Sequence, residues 1–264
     1  MPGNRHSHRD HKVAERVVHI LLIAQPNLFA ALNNQAKGWP MNSMNQFGRR
    51  VGADDVQRRT ERLKALATDI EAQGGSVRFR ALDVTDAADV QAFADFAKRE
   101  FGKIDVIVNN AGVMPLSPLA SLKIAEWNQM LDVNIRGVLH GIAAVLPGME
   151  AQGHGQVINI SSIGGLAVSS TASVYCATKF AVCAISDGLR QETDKIRVTV
   201  ICPGVVESEL ADSISDETAR EAMKTFRKGA LGPNAIARAL VYAIEQPDGV
   251  DVSEIVVRPS GSAY

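Results

Sequence analysis

Three residue types in one stretch of this chain could do acid–base chemistry together. The stretch from Gln156 to Lys179, QVINISSIGGLAVSSTASVYCATK, holds Ser162, Tyr175 and Lys179. Tyr175 and Lys179 stand one helical turn apart, in a segment whose apolar positions (Phe180, Ala181, Ala184, Ile185) repeat as they do in a helix. A helical face would present phenol and ammonium to one point in space. A tyrosine hydroxyl titrates at about pH 10, too high for ready proton exchange at neutrality. A nearby fixed positive charge favours the phenolate and lowers that value. Ser162 follows a β-branched run (Val157, Ile158, Ile160) and could hold a substrate oxygen by a hydrogen bond. The plainer alternative is a core tyrosine and a surface lysine that happen to share this spacing.

The elements around the stretch supply its context. IDVIVNNAG (Ile104 to Gly112) reads as a buried strand running into Asn109, Asn110, Ala111 and Gly112, a turn without bulk. LDVNIRG places Asn134 in a helical stretch, and VTVICPG (Val198 to Gly204) is another buried strand, ending at Pro203-Gly204 and followed by VVESEL. In this order and spacing the motifs resemble the short-chain dehydrogenase/reductase family, from about Arg58 to the C-terminus.

The resemblance implies a single doubly wound α/β domain over residues 58–264, with a mainly parallel, Rossmann-like sheet. It implies hydride transfer between a nicotinamide cofactor and a carbonyl or secondary alcohol. By the same resemblance Tyr175 is the acid/base, Lys179 lowers its pKa and grips the cofactor ribose, Ser162 polarises the substrate oxygen, and Asn134 completes a proton relay. The cofactor would meet Asp83 and Val84 at the adenine, Asn109 to Gly112 at the ribose, and Pro203, Gly204, Val206 and Ser208 near the carboxamide. Relatives more often have Thr where Ser208 stands. Arg58 and Arg59, taken to follow the second strand, would read the 2′-phosphate of NADP by paired hydrogen bonds, favouring NADPH over NADH. Two solvated arginines at a helix start are the alternative. The long helices read at 122–146 and 172–192 resemble those through which family members form homodimers or homotetramers. Residues 209–231 stand where the family carries its substrate lid, with Leu210 and Met223 suited to a hydrophobic carbonyl.

Composition agrees with one domain. The chain has 264 residues, of which 46% are hydrophobic, ample for a large core. A net charge of -1 gives no electrostatic case for nucleic acid or an anionic membrane. No apolar run has the length of a membrane span. The three cysteines contain no C-x-x-C pair, which points to a reducing compartment, the cytoplasm. No metal site is expected: His6, His8 and His11 lie close in sequence, but in a polar tail with nothing to set a geometry.

Residues 1–57 break the pattern. Relatives open with a strand, T-G-x-x-x-G-x-G and a helix, whose glycines admit the cofactor pyrophosphate. Here Gly48 and Gly52 have the right separation, but Asp54 takes the third glycine position, and neither a strand before them nor a helix before Arg58 is legible. The run Val17 to Ala24 is expected to fill the central slot of the sheet, pairing in parallel with Ile104–Val108, because an empty slot would expose unpaired backbone on both neighbours. Residues 27–38 could form a short helix stopped at Gly38. The turn Gln25-Pro26-Asn27 has no glycine. An alternative reading is therefore a catalytically impaired, self-associating homologue; another is a frame error or rearrangement at the 5′ end of the gene.

Overall fold

The structure, a computed structural model, describes residues 18–23, 41–47, 53–72, 76–247 and 249–261, with the backbone alone for 18–23, 41–47 and 53–62. Among the described residues seven parallel strands form one sheet: β1 Val18–Ile23, β2 Met41–Phe47, β3 Ser76–Ala81, β4 Val106–Asn109, β5 Gly155–Ile160, β6 Ile196–Pro203 and β7 Glu254–Val257. Their order is β3-β2-β1-β4-β5-β6-β7, a doubly wound arrangement whose order reverses between β1 and β4. The helices are α1 Ala53–Ala72, α2 Ala87–Phe101, α3 Ile124–Leu131, α4 Gly137–Gln152, α5 Ser173–Glu192, α6 Glu217–Phe226 and α7 Pro233–Ile244.

Strand alternation splits the core into two layers. Ile107, Val157 and Val198 face α2, α4 and α5, packing with Val90, Val145 and Val182. Val108, Ile158 and Ile201 face the other side, against Ile70 of α1 and Leu240 of α7. Local signals set several boundaries. Asp86 accepts hydrogen bonds from the amides of Ala88 and Asp89 at the start of α2, and Gly102 closes that helix at φ 82°.

The pairing expected of Val17–Ala24 is present: β1 aligns Ile20 with Val106 and Ile23 with Asn109. The other face of the same strand pairs with β2, from Val18 with Met41 to Ile23 with Gln46. β2 itself is invisible to periodicity, because its apolar residues (Met41, Met44, Phe47) fall every third position rather than every second. Its neighbours make it a strand.

Two expectations about this region are corrected. A strand does precede Gly48, and a helix does begin before Arg58, at Ala53. The turn between β2 and α1 is still not the family's glycine turn, since β2 is not the central strand. Arg58 and Arg59 accordingly lie inside α1 rather than at the exit of β2. The possible helix at 27–38, the turn at Gln25-Pro26-Asn27 and the histidines near the N-terminus lie outside the described residues.

The helix read at 122–146 is also different. α3 passes through a π-helical turn, Asp132–Arg136, into α4, which continues past Pro147 to Gln152 and is capped by Gly153 at φ 73°. Pro147 does not end it. The following turn buries Met149 to 1% exposure, and burial of such a side chain is worth about 1.5–3 kcal/mol, comparable with the proline's cost. Among the described residues no helix is long and apolar enough to cross a membrane.

Candidate active site

The C-terminal ends of β4, β5 and β6 open onto one cavity of about 610 Å³, lined by Asn110, Gly112, Ser162, Tyr175, Lys179 and Pro203 among others. Each reaches it from a different element. Ser162 follows β5 in extended backbone, and its Oγ accepts the Gly164 amide at 3.0 Å. Tyr175 and Lys179 lie on the first turns of α5, at 8% and 6% exposure. Gly164 brings loop and helix together: a Cβ there would come 3.3 Å from the Tyr175 ring and 3.5 Å from Ser162 Oγ.

Lys179 Nζ donates to the Ile160 carbonyl at 2.9 Å and lies 5.8 Å from the centre of the Tyr175 ring. Burial brings Lys179 down to about 8, with the nearby Cys202 and Cys183 acting in the opposite direction. Burial also pushes Tyr175 up to about 12, against the hydrogen bond with Ser162. The expected lowering of the tyrosine by the lysine is not found: burial dominates, and the Ser162 hydrogen bond is what acts against it. The same dehydration weakens the lysine's charge and penalises the phenolate.

Asn134 sits in the π-turn, where such bulges often mark function. It is buried to 1% and does not line the cavity. Its Oδ1 accepts the Val113 amide at 2.9 Å, and its Nδ2 donates to the Val113 carbonyl and to Thr178 Oγ1. Thr178 in turn donates to the Tyr175 carbonyl at 2.7 Å. The asparagine therefore braces the loop after β4 and the helix that carries Tyr175. A Cβ on Gly112 would lie 3.5 Å from Asn134 Oδ1 and 3.8 Å from Lys179 Nζ, so these three groups are close neighbours.

The expected cofactor residues divide. Asn110, Gly112, Pro203, Gly204, Val206 and Ser208 line the cavity with Tyr175 and Lys179. Asn109 points inward, donating to Asn159 Oδ1 at 2.9 Å. Ala111 packs against the core. Asp83 accepts from the Thr85 amide and hydroxyl, ordering the turn after β3, and Val84 is buried at 1%. Sequence reasoning missed Thr178 and Ser161, whose Oγ donates to the Lys179 carbonyl at 2.9 Å. Their positions beside Lys179 and Ser162 were the available signal. Behind Lys179, hydrogen bonding with Cys202 brings the Cys183 thiol down to about 6, and the same bond with burial pushes Cys202 up.

The family model for short chain dehydrogenase matches residues 43–219. The chain belongs to this family. A relative from Staphylococcus saprophyticus, known as an uncharacterized oxidoreductase, is 45% identical over 210 residues, spanning 78% of this chain and 85% of that protein. An uncharacterized oxidoreductase of Listeria monocytogenes is 40% identical over 212 residues, 78% of this chain and 86% of the other. The fold is shared with a serine dehydrogenase solved in complex with NADP+, at 27% identity and TM-score 0.79, over 93% of this chain and 96% of that one. As a short-chain dehydrogenase this protein is an oxidoreductase, and its cavity lies where the doubly wound sheet binds ligands, at the carboxyl ends of the strands.

Proposed function

We propose that this short-chain dehydrogenase interconverts a carbonyl compound and a secondary alcohol with NADP as cofactor. The observation that carries the reading is the convergence of Ser162, Tyr175 and Lys179 on one cavity. When bound, the dinucleotide supplies or accepts the hydride. The residues at its nicotinamide end fit that group: Gly112 adds no bulk beside Lys179, and Asn110, Pro203, Val206 and Ser208 line the same wall. Lys179 would hold the ribose, with Asn109 and Ala111 supporting that side from the interior, and Asp83 and Val84 would flank the adenine. Ser162 donates to the substrate oxygen. Tyr175, protonated at neutrality as any tyrosine is and more firmly so through burial, gives its proton to that oxygen during reduction. Asn134 positions both partners through Val113 and Thr178.

Basic residues near the second strand support the choice of NADP over NAD. Arg49 and Arg50 come directly after β2 and Gly48 in sequence, and Arg58 and Arg59 follow within α1. The apolar cavity wall of Leu210, Met223 and Phe226 favours a hydrophobic carbonyl. A homodimer or homotetramer in the cytoplasm completes the reading. Leu139 of α4 and Phe180 of α5 are 44% and 41% exposed, large apolar groups left for a second copy to cover. Leu139→Glu with Phe180→Glu should convert the assembly to monomer in sedimentation; an unchanged mass would place the interface elsewhere.

A second reading has its own observation. β1 is followed by Gln25-Pro26-Asn27, with no glycine and a proline that lacks an N–H for the pyrophosphate. On this reading the protein keeps the acid–base residues and the apolar association faces but binds dinucleotide weakly or not at all. One experiment separates the two: NADPH and NADH titrations, followed by turnover of a panel of hydrophobic ketones. Tight NADPH binding with turnover supports the enzyme. In that case Tyr175→Phe should lower kcat by about 100-fold or more with affinity for NADPH unchanged. Near-normal turnover in that variant would remove Tyr175 from the chemistry.

A further inference from the structure

We infer that Cys183, Cys202 and Glu254 form a binding site for one thiophilic divalent cation of the zinc type. Three elements contribute one ligand each: Cys183 from α5, Cys202 from β6 and Glu254 from β7. Their sulfur and carboxylate atoms all lie within 4.8 Å of one another. The register explains the convergence. Glu254 pairs with Val200, two residues before Cys202, so both side chains project from the same side of the sheet, the side that α5 covers.

Size and chemistry both fit. Zinc takes sulfur at about 2.3 Å and carboxylate oxygen at about 2.0–2.2 Å in tetrahedral geometry, which puts its ligands about 3.5–3.8 Å apart. Closing from the present separation needs a movement of about 1 Å at most. Glu254 is exposed and Cys183 half-buried, so both can adjust, while Cys202 is fixed at 0% exposure in the strand. Two thiols select a soft or borderline ion over magnesium or calcium. The carboxylate is the telling third corner. It lies beside two sulfur atoms, and no Lys or Arg among the described residues pairs with it. A cation gives it a partner; a disulfide would give the carboxylate no role. Three protein ligands leave a fourth position for water.

The site also touches the proposed catalytic machinery from behind. Cys183 Sγ donates to Ser161 Oγ at 3.4 Å, and Ser161 donates to the Lys179 carbonyl. One serine therefore links the thiol pair to the helix turn that presents Lys179.

The test is a titration of the full-length, reduced protein with Co2+ as a spectroscopic probe, and with Zn2+ in competition with a chromophoric chelator. The expected result is one equivalent per chain with a thiolate-to-cobalt charge-transfer band. Cys183→Ser should remove most of that band and weaken Zn2+ by more than about 100-fold, beyond what outer partners of a metal cost. Glu254→Gln, an exposed change that leaves the core intact, should keep the band and weaken Zn2+ by about 10-fold. Absence of the band in the unaltered protein would overturn the assignment. So would Zn2+ affinity unchanged in both variants, which would move the ion to His6, His8 and His11. None of these readouts uses turnover, so the result stands apart from the proposed activity.

Discussion

Lys179 is a charged group kept almost wholly from water, and that has a measurable consequence. A lysine whose folded pKa lies below its unfolded value holds its proton less readily in the native state. The resulting cost to stability is full below about 8 and disappears as pH rises through 10.5, the ordinary value. At about 1.4 kcal/mol per unit, the penalty is on the order of 3 kcal/mol. Lys179→Met should therefore be more stable than the unaltered protein at pH 7, and urea denaturation should show the gap closing by pH 10. A gap independent of pH would mean that the ammonium is paid for by contacts other than Ile160. Tyr175 shifts the other way, from 10 to about 12, so it begins to lower stability only as pH rises past 10, after most of the lysine gap has closed. The residue types and their spacing were legible in the sequence. The sign of the tyrosine's shift was not, because burial is a property of the packed helix and loop, and a four-residue spacing says nothing of dehydration.

At the scale of elements, the site depends on how closely α5 approaches the loop after β5. A Cβ on Gly165 would fall 2.5 Å from Ser161 Oγ and 2.8 Å from the Lys179 carbonyl, and backbone cannot yield as a flexible side chain can. Gly165→Ala should cost about 1–3 kcal/mol and displace Ser162 from Tyr175. Gly188, on the same helix, has nothing within 4 Å of its Cβ position, so Gly188→Ala should stabilise by about 0.5–1 kcal/mol. Thermal melts of the two variants check the contrast; shifts of the same sign would refute the contact. The Gly-Gly pair read as a loop signal without revealing this approach, which depends on a helix beginning at Ser173. The run at 122–146 shows the same limit. Its apolar positions announced a helix, but the π-turn that aims Asn134 at Val113 leaves no periodic trace, and Pro147 misplaced the end. A proline's cost is local, whereas the gain from burying Met149 depends on Gly155, which approaches it from β5.

The whole molecule rests on a central strand that its family pattern does not supply. β1 hydrogen-bonds to β2 on one side and β4 on the other, so it joins two strands to four. Length and β-branching picked out Val17–Ala24 because an empty slot would leave both neighbours unpaired, a constraint that acts on the sheet as a whole. β2 escaped notice for the complementary reason: its pairing partners impose a strand on residues with no alternation of their own. The same logic separates what the sheet needs from what a dinucleotide site needs. Backbone pairing asks only for a run of extended residues, whereas the pyrophosphate asks for glycines and free N–H groups at one turn. Stability and cofactor binding should therefore separate under mutation. Leu21→Pro removes an amide in the middle of β1 and should cost about 3 kcal/mol or more. Loss of β1 would divide the sheet between β2 and β4, so unfolding should be a single shifted transition by circular dichroism rather than fraying at one end. Ala or Gly in place of Pro26, by contrast, should leave the melting temperature within a few degrees while restoring an amide shortly after β1 in the sequence. If Pro26→Gly tightens NADPH binding, the glycine-poor turn is what limits this dehydrogenase. If Leu21→Pro melts like the unaltered protein, β1 is not the strand on which the sheet depends.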